Sequence, residues 1–118
     1  MSTHNFLDLK IWQKSMILSK ELFLMTKYFP KEEKYGLISQ INRAGVSIPS
    51  NIAEGTSRNS NKDFARFLQI SLGSCFEIET QLMLAYDFEY IDKEKSVELI
   101  QLVKEIQKMI NGFKNNLK

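Results

Sequence analysis

Apolar residues recur three and four positions apart in four long blocks separated by short polar breaks, a spacing that predicts helices rather than strands. In the first block, from Asp8 to about Tyr28, Leu9, Trp12, Met16 and Phe23 mark a stripe, with Ile11, Leu18, Leu22 and Met25 alongside. Such breadth is expected of a helix buried on more than one side. Asp8 is placed to cap its start, and Phe29-Pro30 to end it, because a residue before proline avoids the α region.

The third block opens on "SNKD", where Ser60 can cap the helix with the acid Asp63 three residues on. Phe64, Leu68, Ser71, Cys75, Ile78, Leu82 and Ala85 then step by alternating fours and threes, the seam of closely packed bundle helices. The small residues of "SLGSC" let a partner helix come near. Asp92 caps a fourth block, in which Val97, Ile100, Val103, Ile110, Phe113 and Leu117 run toward the terminus. Leu99, Leu102, Ile106 and Met109 widen that stripe.

The second block, from about Lys31, contains "GVSIPSNIAEG", residues 45 to 55. Leu37, Ile41, Ala44, Ile48 and Ile52 hold one helical phase straight through Pro49, which a linker has no reason to do. A proline inside a helix loses one hydrogen bond and presses its ring on the carbonyl four residues earlier, at a cost of about 3 kcal/mol. Here that residue is Gly45, which lets the backbone bend away, and Ser47 and Ser50 can offer hydroxyls to loosened carbonyls. The reading is one helix kinked at Pro49 and ending near Gly55 to Ser57, with Gly55 available for a left-handed cap. Two helices broken at Pro49 is the alternative.

Four helices of roughly 20 to 28 residues would each be about 30–40 Å long. The connections near residues 29–31, 57–61 and 90–92 are short, and short connections make neighbours antiparallel. The expected fold is therefore all-α, an up-down-up-down four-helix bundle forming a single domain over residues 1–118. No apolar run is long enough for a bilayer, the N-terminus has no signal-peptide pattern, and a lone cysteine suits a reducing cytoplasm.

A net charge of +2 does not by itself draw the chain to nucleic acid, but the charges are unevenly spread. Residues 1–66 hold ten Lys or Arg against six acids, and residues 67–118 hold six against eight. Arg43, Arg58 and Arg66 fall within 24 residues, with Lys62 nearby. Arginine forks suit phosphates and carboxylates, so these four residues are candidate nucleic-acid or partner contacts. Intramolecular ion pairs would explain the arginines equally well. Asn51 and Glu54 interrupt the apolar phase near the buried face. They satisfy backbone groups freed by Pro49, bond to a neighbouring helix such as the one carrying Arg66, or meet a subunit or ligand.

Catalytic chemistry is not indicated. The single histidine, His4, lies outside the first helix, and there is no Glu-x-x-His pair of the kind that binds metals in bundles. Glu77 and Glu79 are two apart and point away from each other. "EGTS" lacks the lysine and second glycine of a phosphate loop, and Ser47 and Ser50 have no histidine to activate them. Cys75 is read as a small core residue. No enzyme activity, cofactor or metal is expected.

"FPKEEKYGLISQINRAGVSIPSNIAEG", followed by "FARFLQISLGSCFEIETQL", resembles the four-helix-bundle family named after reading frames in intervening sequences of bacterial 23S rRNA. "FLDLKIWQKSM" and "YDFEYID" fit as well, so the resemblance spans nearly the whole chain. It implies a similar bundle assembling as a ring-like pentamer, with the ribosomal label reflecting genetic location. A related branch, the accessory variability proteins of diversity-generating retroelements, forms a basic pentameric barrel that binds a reverse transcriptase and nucleic acid. This chain looks closer to the first group. The expectation is a homo-oligomeric scaffold or interaction protein in the cytoplasm. The alternative is an accessory protein binding RNA or DNA through Arg43, Arg58, Lys62 and Arg66.

Overall fold

The computed structural model describes residues 4–117, and among these every regular element is helical. The four long helices are α1 (Lys10–Thr26), α2 (Leu37–Thr56), α3 (Asn61–Asp87) and α4 (Lys93–Asn115). Short 3₁₀ turns at Phe6–Asp8 and Lys31–Glu33 precede α1 and α2.

Side-chain pairs fix how the helices run. Along α1 and α2, Asn42 meets Thr26 at 2.9 Å, while Gly45 lies against Ser19 and Leu22. Ser47 meets Ser74, Ile48 meets Ser71 and Gly55 meets Phe64, so α3 recedes as α2 advances. Gln107 reaches Glu79 and Lys114 reaches Gln69, reversing the sense again between α3 and α4. Each helix thus opposes the one before it. Lys14 and Glu105 close the ring between α1 and α4.

The core is a single column. Leu37, Ile41, Ala44, Ile48 and Ile52 of α2 are all buried, as is every residue of the α3 seam from Phe64 to Ala85 read from the sequence. On α1 the stripe turns away from its expected centre. Ile11, Leu18, Leu22 and Met25 are buried, whereas Met16 and Phe23 are 46% and 54% exposed. On α4 the column is Leu99, Val103, Ile106 and Ile110, and Val97 lies outside it. Leu102, Met109 and Phe113 pack against its edge.

The ends of the helices follow local chemistry. Ser60 accepts from the Asp63 amide at 3.1 Å and Asp92 from the Lys95 amide at 2.8 Å, so both expected caps are in place. Asp8 is not a cap. It sits inside the first 3₁₀ turn, whose cap is Asn5, and α1 starts after Leu9 with no side-chain cap. The second helix starts later than its periodicity suggests, because Lys31–Glu33 form a separate turn and Gly36 stands at the N-cap. Glycine has no oxygen to offer there, and the Glu33 carboxylate takes the Leu37 amide at 3.0 Å instead. A methyl group at position 36 would stand 2.7 Å from that carboxylate.

α2 is unbroken through Pro49, which sets aside the reading of two helices. It ends at Thr56 with Ser57 in the right-handed region, and no glycine among the described residues has a positive φ. Gly55 is therefore not a left-handed cap. Its missing side chain makes room for α3, since a methyl there would lie 2.7 Å from the Phe64 ring and 3.0 Å from Phe67 Cβ.

Candidate functional site

The stretch around Pro49 forms a polar seam inside an apolar interface. Proline leaves its i−4 carbonyl, on Gly45, without the usual helical donor. Within the next turn, at Ser47 and Ile48, side chains supply extra donors to the backbone. Asn51 Nδ2 donates to the Ser47 carbonyl at 2.8 Å and to the Ser47 hydroxyl at 3.0 Å. From α3, the buried Ser71 hydroxyl donates to the Ile48 carbonyl at 2.9 Å, and Ser74 donates to the Ser47 hydroxyl at 2.9 Å. The small residues of "SLGSC" do admit α2, through Ser71 and Ser74. Gly73 takes no part, since a methyl group there would meet nothing within 4 Å. Asn51 bonds within its own helix, to Ser47, and not to the Gly45 carbonyl that Pro49 frees. Ser50 is exposed, and Ser47 serves chiefly as an acceptor.

Glu54 does not lie near the buried face and does not reach another bundle helix. It is exposed and pairs with Arg58 at 2.7 Å, one turn on and just past the end of α2. The Arg58 guanidinium also lies 4.5 Å from the Phe67 ring centroid, and Arg66 approaches the same ring at 5.9 Å. Arg66 is 3.6 Å from Asp63. Each of these arginines thus has a carboxylate partner on its own chain, at exposed sites where such pairs are weak. Lys62 and Arg66 line an open depression of about 710 Å³ together with Lys114 of α4. Arg43 does not join them. It is exposed on α2, 15 residues before Arg58, a distance of about 22 Å along a helix.

The same end of the bundle is closed by aromatic rings. Phe64 and Phe113 lie 5.6 Å apart, and the imidazole of His4 packs edge-on to both at 5.3 and 5.5 Å. Trp12 packs against the core and meets Phe6 at 5.2 Å. Cys75 has no exposed surface, and burial pushes its thiol up to about 12, which keeps it protonated and unreactive at neutral pH. Among the described residues no three His, Cys, Asp or Glu side chains gather as a metal ion would need. None of the helices is long and apolar enough to cross a membrane.

Two features escaped the sequence. At the opposite end, Tyr90 donates to Glu33 at 2.8 Å, which ties the turn after α3 to the start of α2. Phe29 and Phe88 flank Tyr90 at 5.2 and 5.7 Å. The hydrogen bond from the Leu37 amide, and then that from Tyr90, holds the Glu33 carboxyl below its usual range. The bond to Glu33 in turn raises the Tyr90 phenol. The second feature is an apolar groove between α1 and α2, bordered by lysines.

The four long helices and their shared core define an all-α four-helix-bundle domain. The profile of the 23S rRNA-intervening sequence protein family matches residues 7–112, and the chain belongs to that family. It is also similar to a crystal structure of a protein of unknown function from the S23 ribosomal protein family of Bacteroides thetaiotaomicron. The two share 29% identity over 90% of this chain and 96% of the other, with a TM-score of 0.83. Comparison with curated proteins finds no match.

Proposed function

We propose that this protein is a non-enzymatic interaction module that works as a homo-oligomer, with a ring-like pentamer as the expected assembly. The observation that carries this reading is the outer face of α3. Ile70, Phe76, Met83 and Leu84 are 39–52% exposed there, on the very helix whose other face supplies the longest run of the core. Phe76 and Met83 are one heptad apart and Ile70 and Leu84 two, with Glu77 between the latter pair, so apolar residues recur along this face. Large contiguous apolar surface is rare on monomers and marks contact sites. α1 adds Ile17 and Leu24, whereas the surplus read on the fourth helix is mostly taken up by the core edge, leaving Val97.

Light scattering coupled to size exclusion at micromolar concentration tests this directly. A mass of several subunits is expected, falling when Phe76 and Met83 are both changed to serine. A wild-type mass near one subunit removes the reading.

A second reading, binding to RNA or DNA, is favoured by the gathering of Lys62, Arg66 and Lys114 on one depression, with Arg58 near. Glu54 and Asp63 offset much of that charge, which makes it the weaker of the two. Phosphate contacts release counterions, so binding to a single-stranded oligonucleotide should weaken steeply with salt. Replacing Arg58, Lys62 and Arg66 by glutamine should flatten that dependence. Absence of binding at low salt would leave the scaffold reading alone.

A further inference from the structure

The outer seam between α1 and α2 is a concave trough. Two contiguous depressions of about 420 and 330 Å³ share Phe23 and Asn42 as common walls. Met16, Phe23, Ile38 and Val46 supply apolar surface along it. The amide donors at its centre are engaged internally, because Asn42 Nδ2 donates to Thr26 Oγ1 at 2.9 Å and to the Ile38 carbonyl at 3.0 Å. Met16, Phe23, Ile38 and Val46 thus offer an occupant mainly apolar contact.

The rim has one sign of charge. Lys20, Lys27, Lys31 and Lys34 all line the trough, and no acidic residue does. All four are exposed, and none belongs to an ion pair among the described residues. Lys27 instead lies over the Phe23 ring at 4.9 Å and Lys34 over Tyr35 at 5.3 Å. Elsewhere Lys14, Arg58, Arg66 and Lys95 have carboxylate partners, while Lys10, Arg43, Lys62, Lys93, Lys104 and Lys108 are in no ion pair among the described residues. What distinguishes the trough is the gathering of four lysines on one apolar rim.

We infer that this trough is a docking site for an acidic amphipathic helix of a partner protein. The shape selects a helix: a seam between two antiparallel helices seats a third, with anchors at i, i+3, i+4 and i+7, whereas a membrane surface needs a flat or convex face. From Met16 to Lys27 the trough runs eleven residues, or about 16 Å, room for about three helical turns. The charge selects the acidic partner, because four unpaired lysines around an apolar floor attract carboxylates flanking apolar anchors and repel a basic peptide. Two copies of the chain meeting trough to trough would bring two lysine rims together. The site lies apart from the α3 face that carries the self-association reading, so either can fail without the other.

The probe is a fluorescein-labelled synthetic peptide of about 18 residues, long enough for appreciable helicity, with leucine on one face and glutamate on the other. A control peptide carries lysine in place of glutamate. Anisotropy titrations on the full chain should give micromolar binding of the acidic peptide, weakening with salt, and at least about tenfold poorer binding of the basic one. Lys20→Glu combined with Lys27→Glu leaves the rim with no net charge and should abolish that preference, and Phe23→Ser should weaken the acidic peptide by about tenfold. If Phe23→Ser disturbs the helix content, the double charge reversal at exposed positions carries the test. Equal binding of the two peptides, or none, overturns the inference. So does a drop in oligomer mass on Phe23→Ser, which would make the trough a contact between copies of this chain.

Discussion

The Tyr90 hydroxyl donates to the Glu33 carboxylate at 2.8 Å, while the other oxygen of the same carboxylate caps the Leu37 amide. One side chain thus joins the start of α2 to the turn between α3 and α4. Its two hydrogen bonds favour the charged form, which is why the carboxyl is held low.

That arrangement predicts a pH dependence. Glu33 has a folded-state value below its unfolded one, so its contribution is present above the unfolded value and is lost as pH falls through the folded one. Tyr90 is shifted upward, so its contribution is complete below the unfolded value of about 10 and is lost as pH rises through the folded one. Tyr90→Phe should therefore lower the urea midpoint at neutral pH and narrow its gap from wild type at both extremes. Denaturation curves for both proteins across the pH range check this. A constant gap would mean that the hydroxyl contributes independently of the charge on Glu33.

The glycines give a graded prediction. At Gly73 a methyl meets open space, so Gly73→Ala should stabilise by about 0.5–1 kcal/mol through helix propensity. At Gly45 the methyl comes 3.1 Å from Leu22 Cδ1, and Leu22 is fully buried, so crowding should cancel most or all of that gain. At Gly55 it meets the buried Phe64 ring at 2.7 Å and Phe67 Cβ at 3.0 Å, and a loss of about 1–3 kcal/mol is expected. Urea midpoints should rank 73 above 45 above 55. Any other order contradicts the packing described here.

The α3 seam was legible because Phe64, Leu68, Ser71, Cys75, Ile78, Leu82 and Ala85 keep alternating steps of four and three along the whole helix, although Leu72 joins the core and Ile70, Phe76, Met83 and Leu84 lie outside it. On α1 the apolar residues cover so much of the circumference that periodicity alone does not choose the centre, and Met16 and Phe23 fell outside it. The continuity of α2 through Pro49 was readable because phase is preserved across it. The arginines were visible as a cluster in sequence, but a helix separates Arg43 from the others, and local acids partner Arg58 and Arg66. The Glu33–Tyr90 bond joins residues 57 positions apart and leaves no local signal. The lysine rim was partly readable, in the seven-four-three spacing of Lys20, Lys27, Lys31 and Lys34, but only the fold shows that α2 completes the trough.

Ser71 offers a test of the polar seam. Its hydroxyl is wholly buried and donates to the Ile48 carbonyl at 2.9 Å. Ser71→Ala removes the donor and leaves behind a carbonyl within an α-helix, so the loss should be about 0.5–1.5 kcal/mol. Ser74→Ala should lose less, because the Ser47 hydroxyl keeps its bond from Asn51. Chemical denaturation of the two variants decides it, and a larger loss from Ser74→Ala would refute this ordering.

The turn after α3 contains a non-glycine residue in the left-handed region, Glu89 at φ 65°. The Tyr90 amide bonds the Ala85 carbonyl at 2.8 Å and the Glu89 amide bonds the Tyr86 carbonyl at 2.9 Å, which is the paired closure that usually places glycine at this position. An L side chain pays about 1–2 kcal/mol to sit there, whereas glycine does not. Glu89 is exposed and makes no ion pair among the described residues, so truncating it removes little. Glycine's extra freedom in the unfolded chain takes back part of the gain, and Glu89→Gly should stabilise by about 0.5–1 kcal/mol. In a domain of this size that raises the thermal midpoint by about 2–4 °C. Glu89→Asn should gain less, Glu89→Ala should be near neutral because alanine also carries a Cβ, and Glu89→Val should lose stability. Calorimetry on the four variants distinguishes relief of backbone strain from a surface-charge effect, since a charge effect would move glycine, asparagine, alanine and valine together.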